Sequence, residues 1–492
     1  NINNGKAELK KADHLWGKDS HETEDILQSE LGKDTRVACI GPSGEKLSLL
    51  SCIINNKGRA AGRSGLGAVM GSKKLKAIAV NGKQEVPVAD KEGLKEARKK
   101  YIAQMKEAMV YGMMKHGGTA GLMEFLHLTG EAPNKNWGGA ALVDFVDATP
   151  LQGPAVDELS EKGYGCWHCP LSCGGLMKAG TGKHKYSAGV HRPEYESLAG
   201  FGNMCLNDNL ESVIAACDIC NRYGVDTISV GTAVAFAIEC YENGILTDTD
   251  TDGIKLNWGN DEAIVALTEK IVRREGLGDL LADGVKVASE KIGKGSDQFA
   301  IHVGGQEPGL HDPRANMVFG VSFLDATPGR HTQGNEGMIP EAGLPLPPYD
   351  NDSAAGRGEV HKIVSNHYHV MNSAGLCFFM YLCMNADHVH SFLNLVTGTD
   401  LSMDDTLKIG ERINNLRQAF NIREGLTVKD FKIPPRILGK PPLSEGPTAG
   451  KQVDSDTMKR DYFTALDWDI DTGKPSKAKL LELGLKNVAE TI

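Results

Sequence analysis

The chain has 492 residues, a formal net charge of −10, a hydrophobic share of 40% and 11 cysteines. That length allows two or three packed domains, and Lys and Arg that are scattered rather than gathered into runs disfavour nucleic acid or an anionic membrane as partners. No apolar run reaches bilayer length and no charged-then-apolar leader opens the sequence, so a soluble, cytoplasmic protein acting on a small molecule or another protein is expected.

From Thr35 to Gly82, short β-rich runs (TRVACI, LLSCII, LKAIAV) alternate with glycine-rich turns and predict a sheet. After Pro87 the texture becomes helical. Residues 91–109, 210–224, 230–244, 260–276 and 277–293 each carry apolar side chains at helical spacing, and several end on Gly. Between Ile301 and Gly343 this periodicity gives way to Gly, Pro, His, Asp and Arg, the profile of a loop-built site on a helical scaffold. Helices resume from Arg357 to Phe431, and the tail from Pro434 holds one more amphipathic piece, SKAKLLELGLKN. The fold class expected is α+β.

An odd number of cysteines in a chain this long argues for reduced thiols rather than a disulfide scaffold. Cys39, Cys52, Cys205, Cys217, Cys220 and Cys240 stand among apolar residues and read as small hydrophobes. Cys166, Cys169 and Cys173 differ, because YGCWHCPLSCGG spaces them C-x2-C-x3-C on one loop. Three thiolates so close suit three irons of a cubane cluster, with flanking glycines to let the backbone fold round the sulfides and Pro170 to stop a helix. A zinc site is the competitor, but it usually draws two C-x2-C pairs and no second pair is present. Cys377, just after Gly375 in NSAGLCFFMYLC, is the best fourth ligand; Cys383 is the alternative, held as core.

Taken in order, RAAGRSGLGAVMGSKKLKAIAVNG (59–82), the cysteine loop, PEYESLAGFG (193–202), NRYGVDTIS (221–229), LHDPR (310–314), DATPGRHTQG (325–334) and NSAGLC (372–377) resemble the aldehyde:ferredoxin oxidoreductase family across nearly the whole chain. The resemblance implies a tungsten, or less often molybdenum, held by two molybdopterins, with a 4Fe–4S cluster as electron outlet. It implies a β-rich cofactor domain, represented in part by residues 1–87, then two mainly helical domains, 88–300 with the cysteine loop and 301–492 with active-site loops and Cys377. It also implies an aldehyde substrate, ferredoxin or an iron–sulfur subunit as electron partner, Mg²⁺ bridging the pterin phosphates, and a homodimer. Family chains carry roughly a hundred further residues before the point matched by Asn1, so the chain is expected to be N-terminally incomplete.

Carried over residue by residue, Arg59, Ala60 and Gly62 match the pterin-phosphate loop, a role that glycine-rich backbone and a guanidinium can serve. The family's D-x-x-G-x-D and D-x-x-G-L-C pterin motifs read Asn221…Gly224-Val225-Asp226 and Asn372…Gly375-Leu376-Cys377. Each leading acid is an amide here, which keeps an acceptor oxygen but loses the charge. Glu196 is expected as proton acceptor, with Glu194 as alternate, and His331 as the group polarising the substrate carbonyl. Read alone, Glu194 and Glu196 would simply charge a helix start, Asp312 and Arg314 would form a local turn with an ion pair, and Glu124 with His127 would be an unpartnered E-x-x-H on a solvated helix face. Two other readings stay open: the catalytic subunit of a tungsten benzoyl-CoA reductase, and a non-catalytic electron-transfer paralogue.

Overall fold

The computed structural model describes residues 1–334, 339–340, 342–350 and 353–492. Part of the expected loop-built stretch, residues 335–338 and 341, lies outside these. Six short strands, β1 (Ile2–Asn3), β2 (Lys6–Ala7), β3 (Arg36–Cys39), β4 (Ile53–Asn55), β5 (Arg59–Ala61) and β6 (Ala77–Asn81), form a sheet in the order β2-β1-β6-β3-β4-β5. The β1–β6 pair is parallel and the rest are antiparallel. Alternation along β3 turns Val37 and Cys39 inward, onto Leu15 and onto Leu27 of the helix Ser20–Leu31. That helix opens on a capping box between Asp19 and Glu22. A tight turn through Asn56 and Lys57, both left-handed at φ 47° and 59°, returns the chain along β5 and brings Arg59 to the sheet edge.

The helical part is built round Thr227–Glu242, which is buried on nearly every side because its sequence, TISVGTAVAFAIECYE, is apolar all round. Asp226 caps it, and Gly224, left-handed at φ 73°, ends the preceding helix Leu210–Tyr223. The main core runs from Leu50 to Trp468, and a second gathers Tyr101 and Met105 with Val360, Tyr368, Tyr381 and Cys383. Segments on both sides of residue 300 therefore share both cores. No helix among the described residues is long and apolar enough to cross a membrane.

Two expected helices are interrupted. The first segment stops at Glu107 and restarts as Met109–His116, because Ala108 is extended. The segment 277–293 splits into Leu277–Leu281 and Gly284–Ile292. Gly284 has φ 88°, and a Cβ there would meet Glu307 Oε1 at 2.8 Å, so a long-range neighbour decides what the periodicity could not. Between residues 301 and 334 the one helix described is the short Phe319–Ser322, and the rest is loop, as the composition predicts.

The helix Tyr195–Phe201 crosses Thr227–Glu242 where Gly200 faces Gly231, and a Cβ on Gly231 would lie 2.7 Å from the Gly200 backbone. This crossing fixes Glu196, one turn earlier. Gly231→Val should therefore overpack two backbones and cost about 1–3 kcal/mol or more, with Gly231→Ala affected less; unchanged melting temperatures for both would show that the helices do not cross this closely.

Candidate active site

A cavity of about 850 Å³ opens where the sheet edge, the helix starts and the 301–334 loops converge. Arg59, Ala60 and Gly62 line it from β5 and the turn after it; Asn221, Val225 and Asp226 line it from the junction of the two central helices. Glu196, His311 and His331 form its floor, while Met113, Phe125, Phe378 and Phe379 give it an apolar side. Asn372 and Leu376 are outside its wall, and Asn372 is exposed in the last turn of the helix Arg357–Ser373.

Glu196 enters from the first turn of its helix. Its Oε2 accepts the Leu310 amide at 2.8 Å. Oε1 lies 3.2 Å from His331 Nε2 and 3.5 Å from His311 Nε2, yet neither approach is aligned as a hydrogen bond, so this oxygen has no partner among the described residues. Burial raises the Glu196 carboxyl above its usual range, with His311 and the Leu310 amide opposing. Burial holds His331 well below the ordinary imidazole value, helped by His311, Arg63 and Arg330, so its ring is neutral at pH 7. Its Nδ1 rests against Gly309, where a Cβ would come within 2.4 Å, so Nε2 is the nitrogen turned to Glu196.

His311 was not singled out by the sequence, although LHDPR contains it. Its Nδ1 meets Glu131 Oε1 at 2.7 Å, and its ring stacks on Phe319. Asp312 and Arg314 form the expected local ion pair, both buried. Glu124 is exposed while His127 is buried against Asn203, so that pair shares no site. Glu194 is held away from Glu196, with Oε1 3.3 Å from Arg59 and Oε2 accepting Thr119 Oγ1 at 2.5 Å. Arg63, also unforeseen, donates to Asp226 Oδ2 at 3.2 Å, to Gly329 O at 3.1 Å and to Glu307 O.

The cysteine loop is the tip of a hairpin between β7 (Ser160–Tyr164) and β8 (Gly174–Met177). His168 and Ser172 turn it at φ 55° and 52°, and Arg192 pins it by donating to Cys173 O at 2.7 Å. Cys377 approaches from the other side as the N-cap of Phe378–Tyr381. The protein packed round Cys377 raises its thiol, the Met380 and Phe379 amides oppose this, and thiolates at Cys169 and Cys166 would add to the rise. Cys173 is pushed up to about 12 by burial first, then by Glu194, with Cys377 and Cys169 contributing. Four thiols thus share one neighbourhood. Cys383 is buried in the second core, its Sγ turned to Phe379 O at 3.4 Å, and no disulfide links the cysteines.

Arg59 lies between this loop and the cavity, 5.1 Å over the Tyr164 ring, with its Nε and Nη2 buried and unpartnered. Arg330 Nε is likewise buried without a partner. Donors left bare at a cavity wall fit an anionic, hydrogen-bonding group, and a four-thiol neighbourhood fits a cluster.

Fold and site together define an oxidoreductase in which a large polar-and-apolar cavity adjoins a cysteine loop. Residues 1–82 match "Aldehyde ferredoxin oxidoreductase, N-terminal domain" and residues 96–485 match "Aldehyde ferredoxin oxidoreductase, domains 2 & 3"; the chain belongs to the aldehyde ferredoxin oxidoreductase family. It is 36% identical to a tungsten-containing aldehyde ferredoxin oxidoreductase of Thermococcus kodakarensis, over 98% of this chain and 79% of that one. A Pyrococcus furiosus protein of the same name is 35% identical over 97% of this chain and 78% of its own length. The WOR-like subunit of an aliphatic sulfonate oxidoreductase from P. furiosus is 29% identical, over 98% and 78%. Among solved structures, the active-site complex BamBC of benzoyl coenzyme A reductase superposes with a TM-score of 0.81 at 24% identity, over 99% of this chain and 79% of that one, a likeness of fold.

With the 4Fe–4S cluster expected from the cysteine spacing, Cys377→Ser should lower the iron content of anaerobically purified protein, while Cys383→Ser should not. Equal loss from both variants would remove Cys377 as the fourth ligand.

Proposed function

We propose that this chain oxidises an aldehyde to the carboxylic acid at a tungsten, or molybdenum, bis-molybdopterin centre in the cavity. Electrons then leave through a 4Fe–4S cluster on Cys166, Cys169, Cys173 and Cys377 to ferredoxin or another iron–sulfur protein. Identity of 35–36% with tungsten-containing aldehyde ferredoxin oxidoreductases over nearly the whole chain supports this reading. The observation that carries it is one cavity whose wall includes both the Glu196–His331 pair and Cys173 of the cysteine loop. Mg²⁺ between the pterin phosphates, a homodimer and a cytoplasmic location belong to the same proposal.

Arg59, Ala60, Gly62, Asn221, Val225 and Asp226 would hold the pterins from the cavity wall, with Asn372 and Leu376 reaching them from outside it. When bound, the metal centre supplies a two-electron step and the cluster a one-electron exit. The rest falls to the protein. Glu196 lines the cavity, and its Oε1, which has no aligned hydrogen bond among the described residues, takes the proton released as water-derived oxygen is added to the carbonyl carbon. His331 Nε2 is the donor placed beside it to meet the carbonyl oxygen, and its neutral ring donates without adding a charge. Arg59 Nε and Nη2, bare in the wall, would bind a phosphate or pterin oxygen while Nη1 stays on Glu194. Met113, Phe125, Phe378 and Phe379 keep water off the apolar side, where the substrate's hydrocarbon part would rest.

Elemental analysis of anaerobically purified protein should find about one tungsten or molybdenum and four irons per chain; zinc in place of iron would overturn the cluster. Glu196→Gln should lower kcat by about 10²- to 10⁴-fold at unchanged metal content. Wild-type turnover by that variant would remove Glu196 as the base.

A further inference from the structure

Burial sets Glu196 against its own role: a carboxyl taken out of water favours the acid form, which cannot accept a proton. Something nearby has to restore the charge. The groups facing Glu196 are His311 and His331 from the 301–334 loops, Arg63 and Asp226 from across the cavity, and Tyr195 beside it. Arg63 is spent on Asp226 and on two backbone carbonyls. Among the described residues, His331 has no carboxylate on its Nδ1, which is without a partner there. His311 alone of these lies between two carboxylates, Glu131 Oε1 2.7 Å from Nδ1 and Glu196 Oε1 3.5 Å from Nε2. Glu131 is itself fixed by Asn316, whose Nδ2 donates to Oε2 at 3.3 Å, and by its own carbonyl, which accepts the Asp312 amide at 2.7 Å.

We propose that His311, clamped by Glu131, is the positioning residue that keeps Glu196 ionised without tying its Oε1 into an aligned hydrogen bond. The inference deepens the role given to Glu196 above and rests on it. A carboxylate on Nδ1 fixes the ring orientation and stabilises the imidazolium, whose Nε2–H then faces Glu196 as a charge rather than as an aligned hydrogen bond. Burial would lower the His311 imidazole, but the Glu131 hydrogen bond and the Glu196 and Glu131 charges outweigh this, so it stands above the ordinary value. Tyr195 and Phe319, packed on the ring, bring no competing ion. In the step itself a water O–H bond breaks as its oxygen bonds the carbonyl carbon, the C=O π pair moves onto the carbonyl oxygen and the proton goes to Glu196 Oε1, while His311 keeps both its protons and no electron passes through either residue.

The sign follows directly. Removing an opposite charge near a carboxylate raises its pKa, so more alkaline solution is needed to form the base. In anaerobically purified, metal-loaded His311→Gln, the infrared band of protonated Glu196, assigned by its loss in Glu196→Gln, should persist about 1–3 pH units higher than in wild type. The low-pH limb of kcat/KM should move up with it, and KM should change little. Glu131→Gln should shift both the same way by less, and His311→Asn serves if His311→Gln does not fold. A limb and band unmoved in folded His311 variants, with Glu196→Gln inactive, would overturn the proposal. If Glu196→Gln turns over normally, the base assignment fails instead, and the band alone decides whether His311 holds the charge.

Discussion

The buried ion pair between Arg63 and Asp226 joins three parts of the chain that the rest of the site depends on. Arg63 follows the sheet edge, Asp226 starts the central helix, and the two carbonyls that Arg63 also holds, Glu307 O and Gly329 O, belong to the loop stretch carrying His311 and His331. Asp226 has further partners: its oxygens accept the Ile228 and Ser229 amides and the Ser229 hydroxyl besides Arg63 Nε. With both members buried, every donor and acceptor has to be met in one arrangement, because a charge left unpaired in that setting is costly. The pair therefore sets sheet edge, helix start and loops in register, and the cavity is the space that register leaves.

What was legible in the sequence is local. The cysteine spacing, the glycine that stops the helix Leu210–Tyr223, and the loss of periodicity after Ile301 each lie within a dozen residues of their cause, so they can be read without the fold. What was missed is long-range. Glu131 and His311 are 180 residues apart, and Arg63 and Asp226 are 163 apart. Nothing in EAPN or in LHDPR says that one carboxylate will clamp the other's imidazole. The break at Gly284 has the same origin, since the group it makes room for, the Glu307 carboxylate, arrives from another segment. The motif that held His311 was in view, but its Asp312 and Arg314 pair satisfied each other and gave no reason to look at their neighbour.

The two amides that replace acids, Asn221 and Asn372, sit in unlike surroundings. Asn221 is at the cavity wall, with its carbonyl accepting the Ser20 hydroxyl at 2.8 Å, so the sheet-side helix fixes its backbone and leaves the side-chain amide to face the cavity. Asn372 is in the open at a helix end. An amide in the wall changes the charge balance of an enclosed space, where Coulomb interactions are strong; an amide in solvent changes little. Asn221 lines the same cavity as Arg59 and Arg330, whose nitrogens include some without a partner among the described residues, so an amide in place of an acid there leaves that wall with one negative charge fewer.

Under the proposed reading, protons and electrons leave the site by different walls, and the division begins within three residues. Glu194 and Glu196 stand two apart at one helix start, yet Glu194 turns to Arg59 and the hairpin that carries the cysteines, while Glu196 turns to the two imidazoles. A helix start gives this geometry cheaply, because residues two apart there point to different sides. On one side, Glu194 and the face of Tyr164 hold the Arg59 guanidinium beside the hairpin that carries the cysteines. On the other, His311 links Glu131 to Glu196, with Nδ1 2.7 Å from Glu131 Oε1 and Nε2 3.5 Å from Glu196 Oε1. Tyr195, between the two carboxylates, is locked by its hydroxyl to Leu310 O at 2.5 Å, which is next to the amide that fixes Glu196 Oε2 by way of the same residue. One residue, Leu310, thus orients through its amide and its carbonyl the carboxylate that serves one wall and the residue that separates the two.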